Sequence, residues 1–145
     1  MTRIDHLPHV HVNPQHKVIE LAMTSYDRQR VRRRLVAEDG MELALELPTG
    51  TTLHVGQVLH QAGHTVYVVT AAPEDVLVIK PRSMNEAAFV GHMIGNLHRD
   101  IDIADDGTIA ALWDAPLEMR LQQAKLEVVR TQQPFRGKPV GEHSH

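Results

Sequence analysis

Histidine is the residue type in this sequence best suited to chemistry, because imidazole nitrogens bind Ni, Cu, Zn and Co. His98 follows the segment Gly95-Asn96-Leu97, and His143 and His145 are separated by one residue near the end of the chain. The sequence contains no cysteine, which excludes thiolate metal sites, thiol nucleophiles and disulfides. Any metal ion must therefore be held by nitrogen and oxygen ligands.

His98 lies just beyond the predicted end of a helix that runs from about Ser83 to Ile94. Ser83 and Glu86 have the spacing of a capping box, and Gly95-Asn96 is predicted to end the helix in a left-handed conformation. Small and apolar residues recur on one helical face, at Met84, Ala87, Ala88, Gly91, Ile94 and Gly95. An imidazole held at a helix exit is a candidate metal ligand. The alternative is that His98 caps the helix carbonyls.

Three further side chains near His98 are candidates for supporting roles. His92 precedes His98 by six residues, which turns it about 240° around a helix, so the two should not share an ion within one chain. Asp100 and Asp102 lie on one face of the predicted next strand. They either orient an imidazole or form a solvated surface.

Composition limits the classes of partner and the location of the protein. The 145 residues carry a net charge of -3, which gives no broad attraction for a phosphate backbone, so we expect no nucleic acid partner. No segment reaches the roughly 20 apolar residues that span a bilayer, and we expect a cytoplasmic protein without a membrane partner. The histidines before residue 17 fall in a segment predicted to be irregular, at His6, His9, His11 and His16.

The first half of the sequence predicts a β-rich domain over residues 1–73. Short β-type runs alternate with turn signals at Asp39-Gly40, Pro48-Thr49-Gly50 and Ala62-Gly63. Four arginines recur at every second position, at Arg28, Arg30, Arg32 and Arg34, and on a strand they would project from one face. Such a row either docks an acidic partner through bidentate ion pairs or forms a solvated strand face.

The second half predicts an α+β domain over residues 74–135, followed by a flexible tail over 136–145. Its elements follow the order β-α-β-β-α-β, which is typical of a ferredoxin-like domain. Asp105-Asp106-Gly107 is the predicted hairpin turn, and a second helix starts at Asp114 with Leu117 and Leu121 on its apolar face. The tail carries His143 and His145, which can present two nitrogens to one ion.

Several of these segments resemble the UreE family of urease accessory proteins, which carry nickel. The segment Gly95-Asn96-Leu97-His98 is similar to the family's Gly-Asn-X-His motif, although the family often has Arg where Leu97 stands. The arginine-rich run, Asp39-Gly40, the Leu47-Pro48-Thr49-Gly50 segment and Gly56-Gln57-Val58-Leu59 are similar to its N-terminal domain, where Gln57 replaces an acidic residue. The short histidine-bearing tail also resembles the family.

The resemblance implies a metallochaperone and not an enzyme. It implies a homodimer in which two copies of His98 bind one Ni(2+) cargo ion, with His143 and His145 as auxiliary ligands. Zn(2+) or Cu(2+) are expected to bind the same nitrogens. It also implies a partner-binding or peptide-binding first domain, a metal-binding and dimerisation second domain, and urease apoprotein with its accessory GTPase as partners. A small metalloenzyme and a histidine-rich interaction module without metal delivery remain the alternatives.

Overall fold

The computed structural model describes residues 1–137 of the chain. The chain divides into two compact units, of which the first is Met1–Ala72 and the second begins at Pro73. His143 and His145 lie outside the described residues.

The first unit consists of two three-stranded sheets. One has the strand order β1-β4-β3 and contains β1 (Thr2–Ile4), β3 (Arg32–Val36) and β4 (Glu42–Glu46). The other has the order β2-β6-β5 and contains β2 (Lys17–Met23), β5 (Val58–Ala62) and β6 (Thr65–Ala71). The prediction of an irregular N-terminus is wrong for β1, which pairs in parallel with β4.

Alternating side chains explain why these segments form half-buried strands. In β2 the buried residues are Ile19, Leu21 and Met23, and the residues between them are exposed. Leu43 and Leu45 of β4 are buried in the same core cluster. This period of two places one face of each strand in the core and leaves the other face to solvent.

The arginine row is only partly as predicted, because β3 begins at Arg32. Arg28 lies in a short 3-10 turn over Asp27–Gln29 and is buried, and it donates a hydrogen bond to the carbonyl oxygen of Met23 at 2.7 Å. Arg30 follows that turn, with its guanidinium 5.7 Å from the ring centre of Tyr26. Only Arg32 and Arg34 therefore project from one strand face.

The described part of the second unit contains four strands and two helices in the order β7, α1, β8, β9, α2 and β10. Their bounds are Pro73–Ile79, Met84–Asn96, Asp102–Ile103, Ile109–Leu112, Ala115–Gln123 and Val128–Pro134. The sheet has the order β10-β7-β9-β8, and every neighbouring pair is antiparallel. The predicted turn is confirmed: Gly107 has a φ of +85° and donates to the carbonyl of Ala104.

The first helix begins where the sequence predicts. The hydroxyl of Ser83 accepts a hydrogen bond from the backbone N–H of Glu86 at 3.0 Å. The predicted apolar face is wrong in part, because the buried residues are Val90 and Ile94, whereas Met84 and Gly95 are exposed. Small side chains do not reveal which face is buried, since they bury little area on either side.

Packing of both helices onto the sheet forms the core of the second unit. Leu117 and Leu121 of α2 are buried as predicted, together with Val90 and Ile94 of α1 and Leu77 of β7. Among residues 1–137, no helix is both long and apolar enough to cross a membrane.

Candidate metal centre

The end of α1 places His98 in an unusual backbone conformation. The helix includes both Gly95 and Asn96, so the prediction that these residues end it in a left-handed conformation is wrong. His98 itself has a φ of +56°. Its N–H donates to Gly95 at 3.0 Å, and the N–H of Arg99 donates to Ile94 at 3.3 Å. These two bonds form a Schellman motif, in which glycine is the usual left-handed residue.

The imidazole of His98 is available to a ligand. His98 is exposed, and its ring makes no hydrogen bond to any residue in the range 1–137. The backbone of His98 therefore closes the helix, while its side chain does not cap the helix carbonyls. An exposed neutral imidazole can donate a nitrogen lone pair to a transition metal.

One copy of residues 1–137 does not supply a complete metal site. Within this range there is no group of three or more His, Asp or Glu side chains that could hold an ion. A metal ion at His98 would therefore need further ligands from residues 138–145 or from a second copy of the chain.

Two polar contacts hold the segment that follows His98. The guanidinium of Arg99 donates to Asp114 Oδ2 at 3.0 Å, which ties the segment to the start of α2. Asp102 accepts hydrogen bonds from the backbone N–H groups of Arg136, at 2.7 Å, and of Gly137, at 2.8 Å. The segment that follows His98 is thus connected to two later parts of the second unit, the start of α2 and the segment after β10.

Asp102 also positions the C-terminal segment at the point where the described chain ends. Phe135 is buried, and a Cβ added at Gly137 would lie 2.8 Å from the Phe135 ring. The flexible tail over residues 136–145 stays a prediction, and at its start the N–H groups of Arg136 and Gly137 bind Asp102. Each carboxylate oxygen of Asp102 accepts one of these bonds, and a role of Asp102 in orienting an imidazole stays a prediction.

His92 lies on an exposed part of α1 and has a different neighbour from His98. Its Nε2 is 3.3 Å from the side-chain nitrogen of Asn96, one helical turn later. The two residues are four apart and so share a helix face. Asn96 thus holds the ring of His92, and any helper role of His92 toward an ion at His98 stays a prediction.

Comparison with known proteins gives the family. Residues 2–72 match the model described as the UreE urease accessory protein, N-terminal domain. Urease accessory protein UreE of Deinococcus radiodurans is 50% identical over 125 residues, which cover 86% of this chain and 80% of the relative. The UreE of a Synechococcus strain is 53% identical over 129 residues, covering 89% and 86%. This chain belongs to the UreE urease accessory protein family.

Family membership confirms the resemblance that the sequence motifs indicated. Family membership also fits the prediction that the protein is a urease maturation chaperone and not an enzyme, because the relatives are urease accessory proteins. Gly95 and Asn96 lie in the last turn of α1 and His98 lies two residues beyond its end, and their role at a metal site stays a prediction. The predicted ligands His143 and His145 lie outside the described residues.

Two further histidines of this UreE family member lie at or near the β5–β6 turn of the first unit, apart from the residues around His98. His60 stacks on Tyr67, with ring centres 5.8 Å apart, and the Tyr67 hydroxyl donates to Asp39 Oδ2 at 2.6 Å. His64 is exposed at the β5–β6 turn.

Sequence reasoning missed the contact of Asp102 with the C-terminal segment, because its partners are 34 and 35 residues away.

Proposed function

We propose that this protein is a nickel-binding metallochaperone that delivers Ni(II) for assembly of the urease active site. The observation that carries the proposal is the exposed imidazole of His98 at the end of α1, which has no hydrogen-bond partner within residues 1–137, in a chain of the UreE urease accessory protein family. We infer that His98 of two chains binds one ion in a homodimer, because a residue near a two-fold axis meets its own copy.

The tethered C-terminal segment supports His143 and His145 as additional ligands. The four residues from His98 to Asp102 extend over at most about 14 Å, and the six residues from Gly137 to His143 cover up to about 21 Å. Because Gly137 is hydrogen-bonded to Asp102, the chain length allows His143 to reach an ion at His98. Ligands that reach the ion along a length of chain can detach one nitrogen at a time, which suits a carrier that must release its cargo.

We further propose that the second unit is a ferredoxin-like domain that binds metal and forms the dimer. Its order of elements, its antiparallel pairing and its sheet order β10-β7-β9-β8 support this assignment. The first unit would then serve as the partner-binding domain. The expected partners are urease apoprotein and the accessory GTPase of urease maturation.

Nickel titration calorimetry of the full chain tests the proposal. Wild-type protein should bind about one ion per two chains with high affinity, and His98→Ala should lose this binding, because each ion loses two nitrogen ligands. His64→Ala is the matched control, since His64 is also exposed but lies in the first unit. Equal nickel binding by wild type and His98→Ala would contradict the proposal.

Removal of the tail histidines should have a smaller effect. The variant His143→Ala/His145→Ala should bind nickel more weakly than wild type, while sedimentation velocity still shows a dimer. Dissociation of the dimer in this variant would contradict the assignment of the interface to the second unit. Zn(2+) and Cu(2+) should compete for the same site, since imidazole affinity follows the Irving–Williams order.

A further inference from the structure

The outer face of the β1-β4-β3 sheet carries a concentration of positive charge that the metal site does not use. Arg34 of β3 and Arg3 of β1 are both in register with Ala44 of β4 and therefore flank it on either side. Arg32 precedes Arg34 by two residues on β3 and is in register with Glu46. These five residues line an open groove of about 480 Å³, which we call the arginine groove.

Tertiary structure assembles this groove from two segments that are distant in the sequence, β1 and the β3–β4 pair. Arg3 comes from β1, and the small side chain of Ala44 leaves open space between Arg3 and Arg34. Two strand spacings separate Arg3 from Arg34, which is about 10 Å between their Cα atoms. Arg33, whose side chain is 15% exposed, pairs instead with Asp27 at 3.0 Å.

The charges of the groove are not balanced internally. Glu46 forms an ion pair with Arg3, and both side chains are largely exposed. Arg32 and Arg34 are exposed, and no acidic side chain within residues 1–137 pairs with either of them. Two free guanidinium groups on one strand face are ready to bind carboxylates, since each can form a bidentate pair.

Strand geometry defines the kind of ligand that fits. Arg32 and Arg34 are two residues apart on β3, so their Cα atoms are about 7 Å apart, which is also the spacing of alternate residues in any extended segment. β3 is an edge strand of its sheet, and an edge can accept a further strand through backbone hydrogen bonds. Side chains directly opposite on paired strands lie about 5 Å apart.

We propose that the arginine groove docks an extended acidic segment of a partner protein, which adds as a strand beside β3. Carboxylates at alternate positions of this segment pair with Arg32 and Arg34. Val36, which is 71% exposed on the same face of β3, provides an apolar contact beyond the second carboxylate. The proposal does not depend on the nickel site.

The groove is less suited to nucleic acid. Its arginines span only about 10 Å, Glu46 lies among them, and the chain as a whole has a net charge of -3. A nucleic acid ligand would be repelled by Glu46 and by the acidic chain, whereas a short acidic peptide needs only the two or three local charges.

Fluorescence anisotropy with the full chain tests the proposal. The probe is a fluorescein-labelled heptapeptide in which Glu and Thr alternate, and the control peptide has Gln in place of Glu. At 150 mM NaCl the Glu peptide should bind at least 10-fold more tightly than the Gln peptide. Equal binding of the two peptides, or tighter binding of a 20-nucleotide single-stranded DNA, would overturn the proposal.

Variants of the groove should change the affinity in opposite directions. Arg32→Gln/Arg34→Gln should weaken binding of the Glu peptide at least 10-fold. Glu46→Gln should strengthen binding several-fold, because it removes the one carboxylate of the groove and frees Arg3. The matched control is Arg120→Gln, an exposed arginine of α2, which should bind as wild type. Unchanged binding of the Glu peptide by the double variant, or weaker binding by Glu46→Gln, would overturn the proposal.

Two N-methylated peptides test the addition of a strand. Each carries backbone N-methyl groups on alternate residues, in one peptide on the Glu positions and in the other on the Thr positions. Strand pairing uses the N–H groups of one edge only, so one peptide should lose binding at least 10-fold and the other should retain it. Equal binding by the two peptides would overturn docking as a strand.

Discussion

The two helices of the second unit end in the same backbone conformation, but within residues 1–137 only one of the two left-handed residues is itself hydrogen-bonded to another segment. His98 after α1 has a φ of +56°, and Lys125 after α2 has a φ of +57°. The carbonyl oxygen of Lys125 accepts a hydrogen bond from the Arg82 guanidinium at 2.8 Å. In the described part of the chain, His98 makes a single hydrogen bond, through its own N–H.

This comparison separates backbone strain from function. A left-handed conformation costs an L-residue roughly 1–2 kcal/mol, and both helix ends carry that cost. Strain at His98 is therefore not evidence for a metal site, because Lys125 has the same strain. The distinguishing feature is the exposed imidazole, and substitutions at the two positions can measure its contribution independently of the backbone.

The largest effect is expected from glycine at the two left-handed positions. Glycine adopts positive φ without steric cost, so His98→Gly and Lys125→Gly should each leave the free energy of unfolding unchanged or raise it by up to about 1 kcal/mol. Only His98→Gly should weaken nickel binding, by about 100-fold or more, because a direct ligand matters more than outer contacts. Titration calorimetry and urea unfolding measure the two quantities.

Lys125→Gly serves as the control for any effect of the helix end on the fold. If it weakened nickel binding as much as His98→Gly, the loss would come from the backbone of the unit, and the role of the imidazole would be refuted.

A smaller effect is expected from the carboxylate that holds the segment after His98. Asp102→Asn replaces one of the two acceptors for Arg136 and Gly137 by a donor, so the C-terminal segment should be held less firmly. Nickel affinity should fall by about 10-fold, because the tethered ligands lose effective concentration. Asp105→Asn, an exposed residue of the nearby turn, should have no effect.

A double-mutant cycle sharpens this prediction. In a chain that already carries His143→Ala/His145→Ala, Asp102→Asn should leave nickel affinity unchanged. The same 10-fold loss in both backgrounds would mean that Asp102 acts on His98 directly and not through the tail.

The N-termini of the two helices can be compared in the same way, and the expected effect on the free energy of unfolding is about 1 kcal/mol. Ser83 accepts a hydrogen bond at the start of α1, whereas Asp114, in the described structure, makes no side-chain cap bond at the start of α2. Ser83→Ala should therefore lower the free energy of unfolding by about 1 kcal/mol. Asp114→Ala should cost less, since it loses no cap bond and only the partly exposed ion pair with Arg99. Fluorescence of Trp113, the single tryptophan, reports urea unfolding of this unit; a larger loss for Asp114→Ala would contradict the comparison.

The smallest effect concerns the pH dependence of stability at Glu86 of α1. Glu86 pairs with Arg82, the same residue that donates to Lys125 at the end of α2. The hydrogen bond from Arg82 lowers the pKa of Glu86 from its ordinary value of 4.5. A lowered pKa contributes stability that is present above pH 4.5 and is lost as the pH falls through the folded-state pKa. Glu86→Gln should therefore reduce stability at pH 7 and flatten its decrease below pH 4.5. If the decrease in the free energy of unfolding below pH 4.5 were the same in Glu86→Gln and wild type, the Arg82–Glu86 pair would contribute nothing to stability.

Local patterns in the sequence were enough to predict most elements of the fold. The cap at Ser83, the turn at Gly107 and the buried Leu117 and Leu121 all depend on residues within a few positions of one another. The apolar face of α1 was predicted less well, since Gly and Ala pack on either side of a helix. The short strand β1 was missed, because its three residues are stabilised by pairing with a strand about 40 residues later.

The sequence by itself determined the family, the position of His98 at a helix end and the alternation of Arg32 and Arg34, because these follow from short motifs and from the geometry of one element. Only the tertiary structure decided that His98 is the left-handed residue with an exposed ring, that Asp102 binds Arg136 and Gly137, and that Arg3 joins the arginine groove. Those contacts join residues far apart in the chain, and their formation depends on how the strands and helices pack.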